Sequence, residues 1–580
     1  MNPAVGVEEP LLLPTSSLAH EAADNEETSG PSPLMSSPSP LFRHCLSIDD
    51  VLSRWAGEFG LAQFVHFSLA SLAWTLEALQ TMLMIFADKT PIWACSASAS
   101  LAGTCSPSST LCSLDPSLWN WVVSRHQSTV SEWGLICGED YKIGLVQSAF
   151  FIGALLGAGL FGCLSDSRLG RKGTLALVCI LNAVTGILTA FSPNYWTYFA
   201  LRTATGVSAG GLGLSSFVLA TESVGPSKRG PVGMSTFYFF STGIMALSGL
   251  ALFTSSWRHL CIVASIPSLI YCFLILPFLK ESPRWYLVQG RADDAMKVLA
   301  SIAKWNGKFL PEDVTVAVEQ DDQDIENLAQ TAEKLGSQDD DFVNLECTQM
   351  SQRASGTILD VLRSPSMCAR MLIMIFVWLS VALVYYGISL NVSNLGTNLY
   401  LSVFLNAVAE MPAFALTAIL LEKFGRRYVL MATFLLGALC CMLGAFVPGQ
   451  QDNSLLYFSS AIQDWGLGAS SGSRMRLAYG VVTIFGMAGA YNLLYIYTAE
   501  LFPTVVRNAA LGVASQAAQV GAIVSPMVVV LGKLHPAIPF GIFAIASVIG
   551  GLLAFKLPET LHSPLYETLE GMQRAERSEG

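Results

Sequence analysis

Twelve long apolar runs dominate this chain, at roughly 60–86, 143–164, 174–191, 196–220, 230–253, 258–279, 370–390, 399–421, 428–447, 476–498, 508–531 and 537–557. Each is long enough to cross the hydrocarbon core of a bilayer as a helix, the only open-chain element whose backbone groups all pair internally there. With 52% apolar residues over 580 positions and a mean hydropathy of +0.50, a water-soluble fold is excluded. The expectation is an all-α membrane protein with twelve transmembrane helices in two six-helix halves. The net charge of −11 does not mark a basic partner, and no nucleic acid is expected. Its acids gather in two solvated segments, the N-terminal tail and Glu312–Glu346.

The two halves are legible as a repeat. Glu222 and Arg229 stand seven apart in TESVGPSKRG, and both recur 278 residues later as Glu500 and Arg507 in AELFPTVVRN. Glu281 of KESPRW recurs at the same offset as Glu559 of LPETL. The turn GCLSDSRLGRKG (Gly162–Gly173) is echoed by LEKFGRR (Leu421–Arg427), each set between two apolar runs. Glycines let such a turn reverse tightly, and its bases belong on the cytoplasmic side. With both termini inside, 24 of the 32 Lys and Arg residues fall in inner segments, which fixes the topology. Parallel halves of this kind place a transport site between them.

The expected organisation follows. Residues 1–59 form a cytoplasmic tail, and 60–279 the first half, with a cysteine-containing outer loop at 87–142. Residues 280–369 form a cytoplasmic central loop, 370–557 the second half and 558–580 a cytoplasmic tail. No cleavable signal precedes the first run, which should direct insertion itself. In the tail, Glu8–Leu13 fits an acidic dileucine sorting pattern. SIDDVLSRWAGEFG (Ser47–Gly60) puts Val51, Leu52 and Trp55 on one face and predicts a short helix lying on the inner membrane surface. Cys95, Cys105, Cys112 and Cys137 share the outer loop; in an oxidising compartment they predict two disulfides, with three pairings open. The triplet Asn391–Ser393 sits too close to the membrane to be glycosylated. Nothing has metal-ligand spacing or a nucleophile–base pattern, so no cofactor, metal or enzymatic activity is expected.

These strings together resemble the major facilitator superfamily. STVSEWGLIC (Ser128–Cys137) narrows the resemblance to the organic cation/carnitine transporter family, especially its plant branch, over about Ser47–Leu561. The resemblance implies a compact outer domain stapled by the four cysteines. The segment Pro448–Arg474 departs from it, because that outer loop is short in the family.

Charges inside apolar runs are costly and mark function or pairing. Glu77, Arg202 and Glu410 qualify. Glu77 and Arg202 are candidates for coupling to a co-transported or exchanged proton or sodium ion; the plainer alternative has Arg202 and one acid neutralising each other. Glu410 opens EMPAF and matches the family's acidic position facing the central cavity. The resemblance carries cavity roles to Phe217, Trp378, Tyr385, Tyr400, Tyr491 and Asn492, a set suited to an amine because ring faces attract cations. It also aligns Gln519 where cation carriers have aspartate and anion or carnitine carriers have arginine. A neutral residue there leaves the substrate's sign to Glu410.

The inner loops carry the gate candidates. The resemblance implies a network of Arg171, Glu222, Arg229 and Glu281, mirrored by Arg426, Glu500, Arg507 and Glu559. Glu222–Arg229 and Glu500–Arg507 are the pairs expected to close the cytoplasmic side. The first turn has one residue more than the family's, making Asp166 its acid, and the second has Glu422 in place of aspartate. The function implied is alternating-access transport of small organic cations or zwitterions, amines or carnitine-like, in the plasma membrane or alternatively the vacuolar membrane. Rivals are a sugar or other solute porter, which the apolar, aromatic FVWLSVALVYYG disfavours, and a non-transporting receptor built on the outer loop.

Overall fold

The computed structural model describes residues 44–96, 105, 111–311, 314–316, 358–447, 471–561 and 572. The Glu8–Leu13 pattern, nearly all of Glu312–Glu346 and residues 448–470 lie outside these. Among the described residues, twelve helices are long and apolar enough to cross a membrane, as the twelve runs required. They are α1 (Leu61–Ala87), α2 (Tyr141–Asp166), α3 (Gly170–Thr189), α4 (Tyr195–Thr221), α5 (Pro226–Phe253) and α6 (Trp257–Ile270, carried on by further helical turns to Phe278). The second half has α7 (Pro365–Asn391), α8 (Leu399–Phe424), α9 (Arg426–Phe446), α10 (Ser471–Leu501), α11 (Thr504–Val530) and α12 (Ala537–Ala554). Helix starts follow local chemistry: Asn194 and Asn398 accept from the amides of Thr197 and Leu401, and prolines open α5 and α7 where no amide is needed.

The halves meet where α2 packs on α11 and α5 on α8. Each partner is equivalent, six helices on, to a member of the other interface, so one interface occurs twice. Several polar contacts across it lie at the end bearing the 88–140 loop, here called outer. Ser148 Oγ donates to the Ile523 carbonyl at 2.7 Å, Ser248 Oγ to the Tyr400 carbonyl at 2.7 Å and Lys89 Nζ to the Tyr400 hydroxyl at 3.0 Å. Lys533 pairs with Asp140 at 2.5 Å.

Two disulfides close the outer loop, Cys95–Cys105 and Cys112–Cys137, and choose one of the three pairings. Strand β1 (Trp93–Cys95) runs antiparallel to β2 (Trp119–Trp121). The STVSEW stretch forms a short helix, Thr129–Trp133, that works as a clamp. Glu132 takes Arg258 Nη2 at 2.5 Å and Trp257 Nε1 at 2.8 Å, and Trp133 packs against Tyr198 and Trp257 with centroids 5.3 Å away. Burial alone would raise the Glu132 carboxyl, but its hydrogen bonds to Arg258 and Trp257, with the Arg258 charge, hold it below its ordinary range.

At the inner end the short helix Ile48–Val51 differs from the sequence expectation. Its apolar residues Val51 and Leu52 pack on Ala295, Leu299 and Ile302 of the helix Ala292–Trp305, not on lipid. The amphipathic face of the central loop supplies a protein surface for the same side chains. Strand pairing between His44–Leu46 and Val314–Val316 fixes that docking.

Candidate functional site

At mid-depth, rings from both halves form one box. The Trp378 indole stands edge-on to Tyr495 at 4.8 Å and to Tyr491 at 5.5 Å. Phe237 of α5 lies 5.5 Å from Tyr495 and 6.2 Å from Tyr491, and Phe217 of α4 lies 6.1 Å from Tyr495. Trp74 of α1 completes it, 5.3 Å from Phe237. Positions 491 and 495 share one face of α10 because four residues make about one helical turn. Tilted and edge-on contacts of this kind pack the rings against one another.

Glu410 is buried beside this box. One carboxylate oxygen accepts the Tyr385 hydroxyl at 2.7 Å and the other accepts Ser241 Oγ, so α8 is joined to α7 of its own half and to α5 of the other. Trp378 Nε1 is held by Thr498 Oγ1 at 3.0 Å, which fixes the indole plane. Of the residues the sequence nominated, Phe217, Trp378, Tyr385, Glu410 and Tyr491 come together here.

Others do not. Tyr400 is ten residues before Glu410 on α8, roughly 15 Å up the helix. It stacks on Phe86 at 5.5 Å at the outer end and belongs to the contact between halves. Asn492 follows Tyr491 about 100° around α10; it is buried, and neither amide atom has a hydrogen-bond partner among the described residues. Gln519 is half-buried on α11 and makes no hydrogen bond among the described residues. Arg202 is not paired with Glu77. Its guanidinium donates to the Gln80 side chain at 3.1 Å and the Gln80 carbonyl at 2.7 Å, and lies 4.7 Å over the Phe150 ring. Glu77 lies against Gly213, where any Cβ would stand 2.2 Å from its Oε2. Trp74, Phe237 and Tyr495 were missed by sequence reasoning. The four-residue spacing of Tyr495 from Tyr491 was the one available signal.

The inner signatures correct the expected pairs. Glu222 is bound by Arg171, at 3.1 Å, and Glu500 by Arg426, at 2.9 Å. Arg229 instead pairs with Asp49 at 2.8 Å, and Arg284 binds the same carboxylate. Arg507 Nε and Nη2 have no hydrogen-bond partner among the described residues. The reason is positional. Glu222 and Glu500 end α4 and α10 beside the starts of α3 and α9, so the helix-opening arginine reaches them first. Asp166 also touches Arg171, at 3.0 Å, whereas Glu422 is exposed and makes no ion pair among the described residues. Glu281 and Glu559 accept the first amides of α3 and α9, Arg171 at 3.1 Å and Arg426 at 2.8 Å, as anions do at a helix start. Gly170 and Gly425, at φ +76° and +84°, leave room for those carboxylates.

Comparison with known proteins gives this architecture its relatives. The profile described as "Sugar (and other) transporter" matches residues 110–571. Organic cation/carnitine transporter 4 of Arabidopsis thaliana is 53% identical over 531 residues, 92% of each chain. The chain belongs to the organic cation/carnitine transporter branch of the sugar (and other) transporter family. Organic cation/carnitine transporter 3 of the same plant is 34% identical, covering 90% of this transporter and 93% of its relative. Among solved structures, the inward-open xylose transporter XylE from E. coli superposes with a TM-score of 0.55 at 16% identity, covering 88% of this chain and 99% of its own. At that identity the likeness is one of fold: the transporter is a multi-pass membrane protein built as a major facilitator.

Proposed function

We propose that this transporter moves small organic cations or zwitterions, amines or carnitine-like molecules, by alternating access between its halves. The observation that carries this reading is a ring-lined box at mid-depth, contributed by both halves and bordered by carboxylates at 77 and 410, with Arg202 turned away to Gln80 and Phe150. Ring faces and a carboxylate favour an ammonium group and disfavour an anion. The names of its relatives support the same class. Exchange against, or transport with, a proton or sodium ion fits the buried Glu410 and half-buried Glu77 carboxylates. The plasma membrane is the proposed location, with the vacuolar membrane as the alternative. Radiotracer uptake in oocytes at two pH values and two voltages tests this, with tetraethylammonium, carnitine, xylose and an organic anion offered separately. Uptake of xylose or the anion without uptake of either ammonium compound would refute it.

A further inference from the structure

Two carboxylates border the box, and their surroundings differ. Both oxygens of Glu410 are already taken by neutral hydroxyls, Tyr385 from its own half and Ser241 from the other. A carboxylate so satisfied joins helices and has less to offer a ligand. Glu77 Oε2 is buried and has no hydrogen-bond partner among the described residues. Arg202, the buried base nearest along α4, is bound to Gln80 one turn further out. An ionised carboxylate left this way is costly unless something of opposite charge reaches it.

Position says what can reach it. Glu77 lies three residues, hence one turn, from Trp74, on the same face of α1. Gly213, against which the carboxylate rests, lies one turn from Phe217 on α4. Trp74 and Phe217 are 6.5 Å apart and both belong to the box, so the carboxylate sits at its rim. We infer that Glu77, rather than Glu410, is the counter-ion of the transported ammonium group, seated between the aromatic box and the Gly213 surface of α4. Glu410 holds the halves together around it. This assignment rests on the cation reading above.

Equilibrium binding to the purified full chain in lipid nanodiscs tests it, with choline as probe and 3,3-dimethylbutan-1-ol, its uncharged isostere, as competitor. Wild type should prefer choline. Glu77→Gln should cut that preference by about 10-fold or more, since one unit charge at close range in a poorly polar site is removed. Glu77→Asp should keep part of it. Gly213→Ala, which retains the charge but crowds it, should also lower it and serves where Glu77→Gln reduces folded yield. Wild-type preference in both Glu77→Gln and Gly213→Ala would overturn the assignment, as would collapse of the preference in Glu410→Gln but not in Glu77→Gln. So would a Glu77→Gln variant that binds choline normally and loses only the pH dependence of uptake, for that would make Glu77 a proton site. A wild type that binds none of choline, tetraethylammonium and carnitine would defeat the cation reading itself, and this assignment with it.

Discussion

Arg426 holds Glu500 through two hydrogen bonds of 2.9 Å, joining the start of α9 to the end of α10. Arg171 and Glu222 repeat the arrangement in the first half. Each pair lies wholly within one half. Their direct effect is therefore to fix each inner turn onto its own helix bundle, and any effect on opening is transmitted through those turns.

A double-mutant cycle on Arg426→Gln and Glu500→Gln should return a coupling of about 1–2 kcal/mol, between the values for exposed and buried pairs. Thermal melting of the purified protein measures it. A reporter cysteine at the exposed position of Glu422 should label faster in Glu500→Gln as the turn loosens. Additive single effects would show that the pair is not an energetic unit.

Asp49 binds Arg229 and Arg284 together, tying the N-terminal segment to the start of α5 and to the central loop. All three groups are partly exposed, so solvent screens the attraction. Asp49→Asn should cost at most about 1 kcal/mol, and the loss should shrink in high salt. Melting temperatures of the two proteins at low and high ionic strength decide this.

In the box, Trp378→Ala should weaken choline binding about 5- to 30-fold, the equivalent of about 1–2 kcal/mol for one desolvated cation–ring contact and its packing. Tyr400→Phe should leave that affinity within about 2-fold, because position 400 is roughly 15 Å up α8. It should instead alter turnover, through loss of the Lys89 hydrogen bond between the halves. Parallel binding and uptake measurements separate the two outcomes.

The outer clamp should be insensitive to mild acid. The Glu132 carboxyl is held below its ordinary value of 4.5, so its contribution is complete above that pH and is lost as pH falls through the lower, folded value. Measured in a His126→Gln background, which removes the imidazole 3.4 Å from the Glu132 carboxylate, the stability gap between Glu132 and Glu132→Gln should be flat from pH 7 to about 5 and narrow only in stronger acid. A gap that closes already at pH 6 would contradict the clamp geometry.

Reduction offers a further check. Peptide mapping without reductant should recover Cys95–Cys105 and Cys112–Cys137 as the linked pairs. The Cys112→Ser/Cys137→Ser variant should lose about 2–4 kcal/mol from the outer domain, seen as reduced surface expression and earlier thermal unfolding.

The sequence by itself determined the twelve helices, their division into repeated halves and the family. Those properties are written in run lengths and in short strings such as SEWG and GRK, where each residue acts through its neighbours in the chain. Partner choice was not so written. Glu222 and Arg229 are seven residues apart, yet they bind Arg171 and Asp49, because the ends of α4 and α5 meet other helices before they meet each other. Tyr400 and Glu410 share a helix and still serve different levels of the molecule, since ten residues of rise separate them. Trp74, Phe237 and Tyr495 join Trp378 only through the packing of α1, α5, α7 and α10. Which acid within the spans is left without a hydrogen-bond partner among the described residues was likewise decided by tertiary structure: Tyr385 and Ser241 converge on Glu410, while the half-buried Glu77 meets the bare backbone at Gly213.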